Sequence, residues 1–206
     1  MQNFSEITYA EFTKALASNA PVPGGGGASA LAGALGVALC SMAGNLTIGR
    51  KKYADVEADI RLMLEKGEAL QTRLLSLIDE DAKAFEPLAA AYSIPKDYLN
   101  REEVMEKALS DACSAPIAMM ECCCQAADLL AEMLDKGNVT LVSDVGVGAL
   151  LCGAALKGAS LNIFINTKSM IDREEAEKIN NHAGGMLAVY IERTEGIYQE
   201  VARRLR

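Results

Sequence analysis

Tryptophan is absent from this 206-residue chain, histidine occurs once, and aromatic residues make up only 5% of the sequence. Half of the residues are hydrophobic, so the core must be built mainly from Ala, Leu, Met, Val and Gly. Strand-forming residues make few alternating runs, whereas Ala, Leu, Glu, Lys and Met dominate, and these are strong helix formers. We therefore predict an all-α fold, a bundle of long antiparallel helices that forms one domain over residues 1–206.

Positive charge is also scarce, because 20 Lys and Arg residues face 28 Asp and Glu residues, a formal net charge of −8. This balance argues against a nucleic-acid-binding protein, since such proteins use Lys and Arg to neutralise phosphates. The N-terminal residues lack the basic start and the apolar stretch of a signal peptide. We expect a cytoplasmic protein with reduced thiols.

The six cysteines show no CxxC spacing and lie in apolar, helix-forming surroundings. Cys122, Cys123 and Cys124 are consecutive, but adjacent helical residues point about 100° apart and cannot converge on one ion. We expect buried small hydrophobic side chains, with neither a disulfide nor a metal site.

The N-terminal third contains two clear signals. Thr8 and Glu11 form a capping box that starts a first helix, which should end near Ser18. Two prolines and four glycines in residues 21–27 predict a loop. A second helix is predicted from Ala28 to about Gly49, with a ridge of small residues at every fourth position.

This second helix carries no charge from Gly24 to Asn45, which is long enough to cross a membrane. Small residues spaced by four are also found where membrane helices pair. Gly and Ala are nevertheless weak membrane anchors, and the rest of the chain is amphipathic, so we favour a buried helix of a soluble protein.

Further helices are predicted from Val56 to Phe85, from Arg101 to Leu134 and from Asp172 to Leu205. Pro87 should end the first of these, and Pro116 should kink or divide the second. Between Gly137 and Asp172, Ser143 should cap another helix, whose small residues could face the small-residue ridge of the second helix.

Several residues are candidates for chemistry. The four glycines could cradle an anion with free backbone N–H groups, or could simply permit a turn. Arg50, Lys51 and Lys52 form the densest positive run, which either complements a helix dipole or holds an acidic substrate tail.

Asp81 continues an apolar helical seam, and Asp144 follows a helix start in apolar surroundings. Two inward carboxylates could stabilise a cation or accept a proton from water, although a plain first-turn carboxylate is also common for Asp144. His182 has no partnering motif, and we assign it no catalytic role.

Taken together, these segments resemble the cyclodeaminase and methenyltetrahydrofolate cyclohydrolase family in order and spacing. The segments are 21–30, 45–53, 81–85, 143–146, 158–163 and 165–166, so the resemblance covers nearly the whole chain. It implies an all-helical fold that forms a homodimer and acts on a tetrahydrofolate carrying a one-carbon unit.

The resemblance also implies roles for residues. The catalytic residues would be Asp81 and Asp144, and the folate, possibly polyglutamylated, would be held by Pro23, Gly24, Gly25, Gly26, Lys51, Lys52 and Ser143. No metal, and no cofactor besides the folate substrate, is implied.

Two reactions are known on this scaffold: hydrolysis of 5,10-methenyltetrahydrofolate to 10-formyltetrahydrofolate, and cyclisation of 5-formiminotetrahydrofolate with loss of ammonia. The chain begins at this domain, without a formiminotransferase ahead of it, which favours the cyclohydrolase. The cyclodeaminase stays open, as does a non-catalytic folate-binding module or helical scaffold dimer.

Overall fold

The computed structural model describes residues 3–95 and 97–206, and within these ranges the chain is helical and contains no strand. The prediction of an all-α fold is confirmed. Short 3-10 turns at Lys51–Val56 and Val139–Leu141 precede the third and sixth α-helices. The α-helices are α1 (Tyr9–Leu16), α2 (Gly25–Asn45), α3 (Glu57–Tyr92), α4 (Arg101–Asp111), α5 (Ser114–Lys136), α6 (Val142–Thr167) and α7 (Arg173–Leu205).

The first helix starts at the predicted capping box. The Thr8 hydroxyl accepts a hydrogen bond from the Glu11 N–H at 3.2 Å, and the Glu11 carboxylate accepts one from the Thr8 N–H at 2.9 Å. Two otherwise unpaired backbone donors are thereby satisfied.

Helix α2 packs on α3, α5 and α6, and it runs antiparallel to α3 and to α6. A Cβ atom added to Gly36 would lie 2.8 Å from the carbonyl oxygen of Gly148, and one added to Gly148 would lie 2.9 Å from that of Gly36. Both distances are shorter than a van der Waals contact, so the two backbones touch where only glycine fits. The predicted packing of one small-residue segment against the other is confirmed.

The predicted bounds of α2 are wrong at both ends. The helix begins at Gly25 rather than Ala28, so three of the four glycines are helical. Glycine costs least in a first turn, where the backbone N–H groups have no partner within the helix. At the other end the helix stops at Asn45, and Gly49 follows with a φ of 76°.

Two prolines behave differently from each other. Helix α3 runs through Pro87 to Tyr92, so the predicted end at Phe85 is wrong. Pro87 and Lys83 are both exposed, and water can therefore reach the carbonyl group that loses its helical partner. Pro116 lies in the first turn of α5. The helix is interrupted at residues 112–113, between α4 and α5, which confirms the predicted division.

The start of α6 also differs from the prediction. Leu141 occupies the cap position, and Ser143 lies inside the first turn and makes no capping hydrogen bond. The side chain of Asn138 instead accepts a hydrogen bond from the Thr140 N–H at 3.1 Å and caps the preceding 3-10 turn. The side-chain cap predicted at Ser143 is therefore absent from α6, and the 3-10 turn before it carries one instead.

Helices α2 and α6 are long and apolar enough to span a membrane by length and composition alone. Core helices of soluble proteins have the same properties, and these two helices pack along each other. About half of each helix faces outward.

Candidate active site

Asp81 lies against the N-terminal end of α2. Because α3 runs antiparallel to α2, it carries Asp81 to the first turn of that helix, where a Cβ atom on Gly26 would overlap the carboxylate. Gly26 is therefore required here for a steric reason, which is that the carboxylate occupies the space of a side chain. The sequence prediction of a loop in this region missed this contact.

Burial raises the pKa of the Asp81 carboxyl from 3.8 to about 6, and a hydrogen bond from the Gly27 backbone works in the opposite direction. Desolvation dominates because few polar groups replace the water that the carboxylate loses. A carboxyl group with a pKa near the working pH can both accept and return a proton. Asp81 therefore has the properties of a general acid and base.

Asn162 of α6 approaches the same end of α2, because a Cβ atom on Gly25 would lie 3.6 Å from its amide group. The amide nitrogen donates to the carbonyl oxygen of Gly158 at 2.9 Å, which points the amide oxygen elsewhere. Sequence reasoning assigned Asn162 no role. The available signal was a polar amide within an otherwise apolar helical segment.

The N-terminal segment covers a neighbouring part of α2 and α3. The carboxylate of Asp79 accepts hydrogen bonds from the N–H groups of Phe4, at 2.6 Å, and Ser5, at 3.4 Å. Beneath this segment lies a mainly apolar cavity of about 480 Å³, which reaches Leu31 and Leu35 of α2. Asp79 thus fixes one wall of a cavity beside the middle of α2.

We call Gly24–Gly26 and Asp81, together with Pro23 and Asn162, the glycine end of the site. Pro23 is buried and precedes Gly24, the cap residue of α2, in a cis Val22–Pro23 peptide bond.

The remaining predicted residues lie at the opposite end of α2. Lys51 and Lys52 are exposed in the 3-10 turn after α2, and the Lys52 amino group lies 5.4 Å from the centre of the Tyr53 ring. The Tyr53 hydroxyl accepts a hydrogen bond from the Val139 N–H at 3.1 Å, which ties this turn to the start of α6. We call Lys51, Lys52, Ser143 and Asp144 the lysine end of the site.

The two ends are separated by most of the length of α2, which is roughly 30 Å for 21 residues at 1.5 Å each. A single chain therefore does not bring Asp81 and Asp144 to one carbon atom. The reason is topological: α3 delivers Asp81 to the start of α2, whereas α6 runs antiparallel to α2 and begins near its end.

His182 is exposed on α7, and its Nε2 atom lies 3.3 Å from the Glu121 carboxylate. All six cysteines are free and buried. Burial raises the pKa of Cys40 to about 12 and that of Cys113 to about 11, so these groups are thiols rather than nucleophilic thiolates at neutral pH. In the part of the chain that the structure describes, no three His, Cys, Asp or Glu side chains are grouped to hold a metal ion.

Comparison with known proteins gives consistent matches. The profile of the formiminotransferase-cyclodeaminase family matches residues 8–184. The chain is 41% identical over 202 residues to a methenyltetrahydrofolate cyclohydrolase from Methylorubrum extorquens, covering 96% of this chain and 97% of the relative. It is 29% identical to a formimidoyltransferase-cyclodeaminase from Rattus norvegicus, of which it spans 35%.

Among solved structures, the fold matches a formiminotetrahydrofolate cyclodeaminase from Thermotoga maritima with a TM-score of 0.84 at 26% identity. The match covers 96% of this chain and 98% of the other, so the two helical bundles correspond from end to end.

Proposed function

Because the chain belongs to the formiminotransferase-cyclodeaminase family, we propose that it hydrolyses 5,10-methenyltetrahydrofolate to 10-formyltetrahydrofolate in one-carbon metabolism. The observation that carries this proposal is the 41% identity to a methenyltetrahydrofolate cyclohydrolase, which extends over nearly the full length of both proteins. The half-buried carboxyl group of Asp81 supplies a chemical reason for the same reaction.

The reacting carbon of the substrate is bonded to two nitrogens, N5 and N10, and shares their positive charge. Water adds to this carbon, the carbon–N5 bond breaks, and the water oxygen becomes the formyl oxygen on N10. One water proton ends on N5 and the other is released. Asp81 accepts the proton of the attacking water and returns it to N5, and its negative charge stabilises the cationic carbon before that transfer.

The acidic tail of the folate needs positive partners. The exposed amino groups of Lys51 and Lys52 are suited to bind its glutamate carboxylates, and a polyglutamate tail could contact both. Pro23, Gly24 and Gly25 shape the start of α2, where backbone N–H groups favour an anion or a polar ring. Ser143 offers a hydroxyl group beside Asp144.

The alternative is the cyclodeaminase reaction, in which N10 attacks the formimino carbon and ammonia leaves. The structural similarity to the Thermotoga maritima cyclodeaminase favours this reading, and the same carbon is involved. Asp81 would then protonate the leaving ammonia rather than activate water. A non-catalytic folate-binding or scaffold role is the third possibility.

The test uses the purified chain with each substrate in turn. Faster loss of the methenyl absorbance than in a blank, without ammonia release from 5-formiminotetrahydrofolate, is the expected result. Ammonia release would replace the first proposal by the second. Absence of both activities, with folate binding detected by calorimetry, would leave the binding module.

We also propose that the protein works as a cytoplasmic homodimer without a metal ion, away from membranes and nucleic acids. The outer faces of α2 and α6 support the dimer, since they expose Leu35, Met42, Leu46, Val147, Leu150, Leu161 and Ile165. Apart from Lys157, the exposed side chains along α6 are apolar or small, and an exposed apolar patch is typical of a protein interface.

A further inference from the structure

Two polar side chains lie against the first turn of α2 from different sides. Asp81 of α3 occupies the space beside Gly26, and the amide group of Asn162 on α6 lies 3.6 Å from the Cβ position of Gly25. Consecutive helical residues point about 100° apart, so the carboxyl group and the amide group approach the turn from two directions. The reaction described above uses the carboxyl group and leaves the amide group without a role.

The distance between these two groups is limited because both contact the same helical turn. The Asp81 oxygens overlap the Cβ position of Gly26, and the Cβ positions of two consecutive helical residues are about 5–6 Å apart. The carboxyl group and the Asn162 amide group are therefore separated by roughly 12 Å at most. A gap of this size can hold the reacting carbon of the substrate and one water molecule.

The amide nitrogen of Asn162 donates a hydrogen bond within its own helix. The acceptor is the carbonyl oxygen of Gly158, four residues earlier in α6, at 2.9 Å. A helical carbonyl group already accepts the N–H of the fourth residue after it, so this carbonyl does not need the amide. The bond instead fixes the plane of the amide group. Among the residues that the structure describes, no group donates a hydrogen bond to the amide oxygen, and Asn162 is only half-buried.

Close packing of α2 on α6 holds Asn162 in place. A Cβ atom on Gly158 would overlap the hydroxyl group of Ser29, so the two helices approach closely one turn away from the Asn162 contact. The Ser29 hydroxyl donates to the carbonyl oxygen of Gly25 at 2.7 Å and is engaged within α2. The Asn162 oxygen, in contrast, is available to a bound molecule.

Helix formation does not account for an asparagine at this position. Asparagine is a weak helix former, because its side chain competes with the backbone for hydrogen bonds. The neighbouring outward positions of α6 carry Leu161 and Ile165, so an apolar residue would suit the surroundings. A residue that breaks a local rule beside a reacting carboxyl group is typical of a functional site.

We propose that Asn162 orients the attacking water together with Asp81. This role rests on the proposed function, because of the two reactions only the hydrolysis uses water. The Asn162 oxygen accepts a hydrogen bond from one O–H group of the water, and Asp81 accepts the proton of the other O–H group. With both O–H groups held, a lone pair of the water oxygen faces the reacting carbon.

The two residues have different tasks because their acid–base properties differ. As the oxygen–carbon bond forms, one proton passes to Asp81, and when the carbon–N5 bond breaks, that proton passes to N5. The second proton stays on the oxygen, hydrogen-bonded to the neutral amide, until the formyl C=O bond forms and this proton leaves to solvent water. Asn162 therefore positions the water and keeps its own protonation state.

Substitution by leucine removes the acceptor and roughly keeps the size of the side chain. We expect Asn162→Leu to lower kcat for methenyltetrahydrofolate hydrolysis on the order of 10²-fold, the cost of a misplaced reacting group. KM should stay within about twofold, because the lost contact is to water rather than to the folate. The loss of activity below pH 6 should remain, because Asp81 is unchanged. A higher KM with unchanged kcat, or a displaced pH profile, would overturn the inference.

Two further variants at this position identify the working atom. Asn162→Asp keeps an acceptor oxygen and loses the donor nitrogen, so it should retain at least about tenfold more activity than Asn162→Leu. Asn162→Ala removes the acceptor without adding bulk and should match Asn162→Leu. An aspartate variant no more active than the leucine and alanine variants would refute the acceptor role.

The matched control is Asn166→Leu, one turn later in the same helix. The Asn166 amide nitrogen donates to the carbonyl oxygen of Ala112 at 3.3 Å, at the junction of α4 and α5, so this variant loses a similar hydrogen bond that does not involve α2. Its kcat should stay within about threefold, with thermal unfolding by circular dichroism confirming that each variant is folded.

The outcomes separate the inference from the proposed function. Equal losses of kcat in folded Asn162→Leu and Asn166→Leu, or full activity in Asn162→Leu, would refute the role of Asn162 alone. An unmodified chain that does not hydrolyse methenyltetrahydrofolate would refute the proposed function, and the role of Asn162 in orienting water would fall with it.

Discussion

Substitution of Gly26 by alanine places a methyl group where the Asp81 carboxylate lies. The added Cβ atom would overlap both oxygens and the carbon of that carboxylate, so the short side chain has to rotate away. A displacement of about 1 Å at a reacting group costs on the order of 10²-fold in rate. We expect kcat for methenyltetrahydrofolate hydrolysis to fall by about that factor.

The fold should survive this change. Crowding costs about 1–3 kcal/mol, and replacement of a helical glycine by alanine returns roughly 0.5–1 kcal/mol. The matched control is Gly185→Ala, a substitution of an exposed helical glycine in α7, where the new atom would meet nothing within 4 Å. This variant should keep its activity within about threefold.

Absorbance-monitored turnover and thermal unfolding by circular dichroism measure the two effects separately. Full activity in a well-folded Gly26→Ala protein would show that the position of Asp81 beside α2 has no part in the reaction. Equal losses in both variants would show that the loss does not depend on contact with the Asp81 carboxylate.

Three other expectations concern pH, packing and the N-terminal segment. With a pKa of about 6 for Asp81, kcat/KM should fall about tenfold per unit below pH 6, and Asp81→Asn should lack this limb. Because the folded state holds this proton more tightly than the unfolded state, the free energy of unfolding should decrease as pH rises from about 4 to 6 and then level off. Asp81→Asn, measured by the same denaturant titrations, should lack this decrease. Gly36→Ala should lower the free energy of unfolding in urea by about 1–3 kcal/mol, whereas Gly196→Ala, with open space around it, should not lower it. Asp79→Ala should release the N-terminal segment and accelerate its proteolysis, and an unchanged cleavage rate would contradict the anchoring role.

Local signals in the sequence predicted much of the fold. The capping box at Thr8 and the break near Pro116 depend on interactions within one helical turn, and both are confirmed. The start of α2 and the passage of α3 through Pro87 depend on neighbours and solvent that a local pattern does not contain.

The candidate site shows the same division. Extension of an apolar seam indicated that Asp81 points inward, and the structure places it half-buried. The separation of Asp81 from Asp144 follows from the directions in which α2, α3 and α6 run, which no spacing of residues along the chain encodes. The contact between Gly26 and Asp81 was hidden for the same reason.

The backbone contact between Gly36 and Gly148 fixes the distance between the axes of α2 and α6. Their separation is set by peptide atoms, which cannot adjust by changing rotamer as side chains do. Any larger residue at either position has to push one whole helix outward, and that shift would reach Asn162 beside Gly25. A substitution at either glycine therefore changes the position of residues at the far ends of both helices.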